Sequence, residues 1–379
     1  MQTRLILKVL GFLLFIFSAS LLPPLIIGWF DNDGTHLVFM QSWGVLLLLG
    51  TLMWLPNRNI IDDLRIRDGF LIVVLFWLVL ALSGALPFLL VENPDMNVVD
   101  AVFESMSGLT TTGATVLTGL DHLPRSILYY RQQLQWLGGM GIIVLAVAIA
   151  PILGVGGMQL FRAEATGPMT NNKLTPRITE TAKALWYIYF GLTVLCAALY
   201  FLAGMSLFDA IGHSFSTLAI GGFSTHDASI AYFNNPLIDV IVMLFMVIAG
   251  INFSLHYLAL RHRSLRHYIA DSEVKAFFLI LAVLSVITIS LLLIEGTFEE
   301  TVDAIRLGLF QVISISTTTG FTTSSFSYWP GLLPVLLIIG SFVGGCAGST
   351  AGGMKVIRVE LLIRQGRREI DSLLHPNAV

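Results

Sequence analysis

Three strings in this chain of 379 residues share one arrangement of residue types: DAVFESMSGLTTTGAT (100–115), DAIGHSFSTLAIGGFS (209–224) and LGLFQVISISTTTGFT (307–322). Aligned on Gly113, Gly222 and Gly320, each carries a polar residue nine positions earlier (Glu104, His213, Gln311) and a hydroxyl two positions later (Thr115, Ser224, Thr322). Directly before the glycines stand Thr110, Thr111 and Thr112, then Ala219, Ile220 and Gly221, then Thr317, Thr318 and Thr319. Glycine reaches backbone conformations closed to other residues, so successive carbonyl oxygens can turn toward one axis. Rings of such oxygens replace the hydration shell of a cation. Threonine hydroxyls can brace the loop or add ligands without bringing a full charge. One TTTG alone is ordinarily a packed turn, but three copies in register favour coordination of a dehydrated cation. For Glu104 and His213, bracing of the loop outranks direct contact with an ion.

The elements that must position these loops follow from composition. Hydrophobic residues make up 55% of the chain and charged residues 12%, about half the charged share of a soluble domain. An apolar run of about 20 residues spans a bilayer as a helix, and such runs lie near 5–28, 37–55, 70–91, 135–160, 184–204, 236–260, 274–294 and 331–363. The first is too long for a signal-peptide core despite the small residues at Ser18–Ser20, and is expected to stay as a helix kinked at Pro23 and Pro24. All of the 21 Lys and Arg except Arg125, Arg131 and Arg306 fall in the segments 1–8, 56–69, 161–183, 261–275 and 355–368. Cytoplasmic loops collect such residues, so both termini are expected in the cytoplasm and the three strings on the outer side. Each string is preceded by about three helical turns, too short to cross the membrane. A helix ending at mid-membrane points its partially negative end at the loop, which favours a cation there. Irregular backbone at that depth persists only when buried in protein or lining water. Asp100 and Asp209 suit N-caps of the first two short helices; in the third string Leu307 takes that place. Cys196 and Cys346 lie in apolar segments without metal-ligand spacing and read as packing residues.

The last apolar run holds GSFVGGCAGSTAGGMK (340–355). Close helix packing through small residues would explain part of it. Yet Gly344, Gly345, Gly348, Gly352 and Gly353 would each weaken a helix by about 1 kcal/mol relative to Ala, so a broken helix is the better reading. With Ser349 and Thr350, those glycines form a candidate gate across a permeation path, and Lys355 and Arg358 mark the exit from the membrane.

Taken together, the loop strings TTTGAT, AIGGFS and TTTGFTTSS, the stretch QWLGGMGIIVLAVAIAPILG (135–154) and the string GGCAGSTAGGMKVIR (344–358) resemble the Trk/Ktr/HKT potassium transporter superfamily over essentially the whole chain. The resemblance implies an all-α membrane protein with two N-terminal helices (1–69) followed by tandem helix, pore loop, helix (M1-P-M2) repeats at 70–160, 161–272 and 273–379. It implies K+ uptake across the bacterial inner membrane, with a filter at Thr110–Gly113, Ala219–Gly222 and Thr317–Gly320 and K+ held at Thr111, Thr112, Ile220, Gly221, Thr318 and Thr319. It further implies a gating loop over 344–353, a homodimer, contact with membrane lipid, and a TrkA-like cytosolic ring that binds nucleotide and docks on basic segments such as 161–183 and 261–275. No covalent cofactor and no nucleic acid belong to that picture. The superfamily has four repeats. A fourth filter is expected about a hundred residues beyond Gly320, so a chain ending at Val379 reads as lacking it.

Two other classes compete. An ion-coupled secondary transporter, moving K+ or Na+ with H+ or Na+ by symport, also uses broken helices, but commonly in inverted repeats, whereas these loops share one orientation. A membrane enzyme would need convergent catalytic groups, and Asp209, His213 and Glu104 show neither metal spacing nor a nucleophile and base. One glycine in each filter and no TVGYG string point to weaker ion discrimination than in a dedicated potassium channel.

Overall fold

The computed structural model describes residues 2–60, 66–139, 141 and 178–374. Most of the expected span at 135–160, most of the basic segment 161–183 and the boundary between the first two repeats lie outside them. Every regular element among the described residues is helical, as the density of apolar runs requires. The chain forms two compact units, Met1–Phe233 and Asn234–Val379.

In the first unit α1 (Thr3–Ala19) and α2 (Leu22–Asp31) form one membrane-length run, broken at Ser20–Leu21. The break falls just ahead of Pro23 and Pro24. These open α2, where the missing proline N–H groups have no intrahelical partner to lose. Two further membrane-length segments contain α3 (Thr35–Trp54) and α4 (Ile66–Gly84), the latter extended by α5 (Leu86–Leu90). The short α6 (Val98–Leu109) leads into the first loop, and α7 (Arg125–Gly139) follows it. Next come α8 (Ile178–Leu202) and a second short helix, α9 (Leu207–Ala219). Helix α7 packs against α2, α6 and α9 and so lies beside both short helices.

In the second unit α10 (Pro236–Ala249) and α11 (Phe253–His262) are bent by 95° across Gly250–Asn252. The expected straight span at 236–260 is therefore broken. Helix α10 closes at Gly250, and an N-cap at Asn252, whose Oδ1 accepts from Ser254 N at 2.8 Å, begins a new helix there. After α12 (Arg266–Ala270) comes the membrane-length α13 (Ser272–Ile294). The third short helix, α14 (Thr301–Ser316), packs against α10, α13 and α15 (Leu333–Phe342). The expected span at 331–363 is not one helix either. Helix α15 ends at Phe342, residues 343–355 leave the helix, and α16 (Val356–Leu374) resumes beyond them.

The caps of the short helices differ from expectation. Asn97 and Ser206 are the N-caps, and Asp100 and Asp209 sit three residues inside, donating N–H to Asn97 Oδ1 at 3.0 Å and to Ser206 Oγ at 3.1 Å. Each aspartate carboxylate in turn accepts from its cap side chain at 2.7 Å. Cap and acid thus bond each other reciprocally, as in a capping box, but the carboxylate takes the side chain of the cap and not its backbone N–H. Helix α14 starts with Glu300, which makes no side-chain cap, and Asp303 pairs with Arg306 at 2.8 Å.

Candidate functional site

Each loop leaves its short helix through the same backbone pattern. The left-handed region is occupied at Thr111 (φ 55°) and Gly113 (75°), at Ile220 (54°) and Gly222 (78°), and at Thr318 (66°) and Gly320 (85°). The residues between them, Thr112, Gly221 and Thr319, keep negative φ. Alternating left- and right-handed residues can turn successive carbonyls toward one side, whereas a regular strand alternates them. A left-handed residue that carries a Cβ costs about 1–2 kcal/mol, and for β-branched Ile220 and the two threonines the conformation is a true outlier. It is held in each loop by the same bond: Thr112, Gly221 and Thr319 N–H donate to Ser107, Ser216 and Ser314 C=O at 2.9, 2.8 and 2.8 Å.

The polar residue nine positions before each glycine braces the loop exit. Glu104 accepts from Thr115 Oγ1 at 2.9–3.0 Å and from Val116 N at 3.2 Å. His213 donates Nδ1–H to Asp209 C=O and accepts from Ser224 Oγ, both at 2.9 Å. Gln311 reaches further, to Ser324 C=O at 3.2 Å.

Sequence alone marks Arg131 only as a basic residue on the outer side; the structure gives it a larger part. It is buried and pairs through Nε with buried Glu104 at 2.7 Å. Its Nη2 donates to Thr115 Oγ1 at 3.0 Å and its Nη1 to Ser224 C=O at 3.3 Å, while its guanidinium lies 4.3 Å from the Phe223 ring. One side chain from α7 thus joins the exits of the first two loops. RQQLQ (131–135) was the available signal, a polar cluster within a helix of a membrane protein.

Further out the same two loops meet again. His226 Nδ1 pairs with the Asp121 carboxylate, Nε2 lies 3.5 Å from Asp209 Oδ1, and the ring stacks on Tyr232 at 3.4 Å. Thr225 Oγ1 donates to Asp209 Oδ1 at 2.7 Å, and Leu120 N to Asp227 Oδ2 at 2.9 Å. Burial works to lower the His226 pKa, but its bonds to Asp209 and Asp121 outweigh that and hold it above the ordinary 6.5.

In the second unit the candidate gate and the third loop touch directly: Gly352 N donates to Thr318 Oγ1 at 2.8 Å. Residues 343–355 form a closed loop, with Gly344 N on Met354 C=O at 3.1 Å and Met354 N on Phe342 C=O at 2.9 Å. A Cβ on Gly344 would lie 2.0 Å from Gly352 O, so the two arms approach as closely as backbone can. The loop docks on the break between α10 and α11. Cys346 N donates to Gly250 C=O at 2.9 Å, Thr350 N to Ala249 C=O at 3.3 Å, and Phe253 N to Gly348 C=O at 3.0 Å. Glu273, at the start of α13, holds both flanks, its Oε1 accepting from Ala347 N at 2.8 Å and Ile357 N at 3.0 Å. The first two candidate filter segments therefore lie in one unit, and the third lies in the other with the candidate gate residues Gly344, Gly345, Gly348, Ser349, Thr350, Gly352 and Gly353.

Membrane-length helices, short helices that stop at irregular loops, and a helix interrupted beside one of those loops define a polytopic helical membrane protein. Residues 35–379 match the family model TrkH, described as a cation transport protein, and the chain belongs to that family. It is 56% identical to the "Trk system potassium uptake protein TrkH" of Halomonas elongata over 379 residues, all of this chain and 78% of that protein. The protein of the same description from Escherichia coli K12 is 54% identical over the same shares. E. coli K12 TrkG, a "Trk system potassium uptake protein", is 39% identical over 378 residues, 78% of its length. The crystal structure of the potassium transporter TrkH from Vibrio parahaemolyticus superposes with a TM-score of 0.90 at 52% identity, covering 100% of this chain and 78% of that one.

Proposed function

We propose that this chain carries K+ across the bacterial inner membrane, with both termini cytoplasmic, and that each of its three loops lends backbone oxygens to a dehydrated K+. The carrying observation is the left-handed backbone at Thr111 and Gly113, Ile220 and Gly222, and Thr318 and Gly320, a strained geometry repeated in register. The domain plan of two N-terminal helices and three M1-P-M2 repeats is part of this reading. So is a gating role for 344–353, supported by the bond from Gly352 to Thr318. A cytosolic ring acting on that gate would meet the exposed Arg261, Arg263 and Arg266, a surface suited to an acidic partner.

The test is uptake of labelled rubidium by K+-uptake-deficient cells expressing the full-length protein. A Cβ on Gly320 meets nothing within 4 Å, so Gly320→Ala should fold, with a loss of about 1–2 kcal/mol for its left-handed backbone. It should also weaken the preference for K+ over Na+. Unchanged uptake and unchanged preference in Gly320→Ala and in the matching Gly113 and Gly222 variants would remove the filter assignment.

A further inference from the structure

The second loop departs from the other two at one atom. In the first and third loops the residue before the registered glycine is threonine, and no donor among the described residues reaches the carbonyl of Thr112 or Thr319. In the second loop that residue is Gly221, and its carbonyl accepts from Gln135 Nε2 at 2.6 Å. The same amide closes a second bond, Gln135 Oε1 accepting from Phe223 N at 3.1 Å. A donor and an acceptor facing an N–H and a C=O two residues apart is how a neighbouring β-strand pairs with backbone. Gln135 thus stands in for a strand beside residues 221–223.

The arrangement explains the residue choice. A Cβ on Gly221 would lie 2.3 Å from Gln135 Cδ, so threonine has no room where the amide lies. Gln135 is fully buried, and a buried amide without partners would be strongly unfavourable, so it cannot readily turn away. One turn earlier, Gln132 Nε2 donates to Phe223 C=O at 3.2 Å. In the other loops a serine fills the equivalent role, with Ser107 Oγ donating to Ala114 C=O at 2.5 Å and Ser314 Oγ to Phe321 C=O at 2.7 Å. Ser216, the second loop's counterpart, makes no such bond. Side chains of α7 have therefore replaced the second loop's own bracing.

We propose that Gln135 is a specificity-determining positioning residue: by holding the Gly221 carbonyl it withdraws one oxygen from full service to the ion and makes the second filter segment the weak-field member of the set. The inference rests on the filter reading under Proposed function. Releasing that carbonyl should tighten the hold on the ion and change which ion is preferred.

The test compares Gln135→Glu, Gln135→Met and the double variant Gln135→Met with Gly221→Thr in the full-length protein reconstituted in liposomes. The glutamate keeps the acceptor for Phe223 N but cannot donate to Gly221 when ionised. The double variant refills the space and restores the threonine of the other loops. Each variant that elutes and melts as a folded protein should show a shift of about fivefold, the scale of one hydrogen bond, in the KM for K+ or in the Na+ concentration that halves labelled rubidium uptake. The maximal rate should change less. If the folded variants keep the wild-type KM and Na+ competition, Gln135 only packs, and the proposal is overturned. Gly320→Ala, measured in parallel, separates the two readings. If it alters ion preference and the Gln135 variants do not, this inference alone fails; if neither does, and the Gly113 and Gly222 variants are silent as well, the filter reading fails too.

Discussion

Arg131 and Glu104 show how much rests on single side chains. Breaking one partner of a buried ion pair costs about 3–5 kcal/mol, because the other charge is left uncompensated. Arg131→Met should therefore lower the thermal midpoint of the purified protein markedly and release both loop exits. Pairing it with Glu104→Gln should recover part of the loss, since no bare charge then remains. His226 is a milder link with a defined pH dependence. Its pKa is raised in the folded protein by Asp209 and Asp121, so its contribution is fully present below the unfolded value near 6.5 and is lost as pH rises through the higher folded value. Thermal stability should fall as pH rises above about 6.5 in the wild type and stay flatter in His226→Gln. Glu104 could be found from the sequence because it repeats in register with His213 and Gln311. Its partner could not, because Arg131 belongs to another helix and nothing in the string links them.

The broken elements set the second scale. Glu273 fastens residues 347 and 357 with one oxygen, so Glu273→Ala should loosen the interrupted segment and raise basal rubidium flux, whereas Glu273→Gln keeps an acceptor and should stay near wild type. Flux in the alanine variant no higher than in the wild type would detach Glu273 from gating. The break at 343–355 was legible because five glycines crowd one stretch. The break at 250–252 was not, since a hydropathy average over a membrane-length window absorbs one glycine and one asparagine. The caps at Asn97 and Ser206 were misplaced by three residues for a related reason: the cap and its acidic partner one turn on both suit a helix start, and type alone does not rank them.

For the whole molecule, composition and charge distribution sufficed to read an all-helical membrane protein, because burying backbone in lipid leaves few solutions. Pairings between helices stayed hidden, since they depend on which faces meet. The docking of residues 343–355 on the α10–α11 break has a thermodynamic corollary. Undocking the loop would strip partners from the amides of Cys346, Thr350 and Gly352 and from the carbonyls of Ala249 and Gly250, and each such group must find another partner. The partner at hand is water, so the undocked state holds more of it. Osmolytes too large to enter the protein should therefore favour the docked state, lowering flux in step with osmotic pressure, while small penetrating solutes at equal concentration should not. If residues 343–355 gate the protein as proposed, its K+ uptake becomes, in that sense, a gauge of water activity.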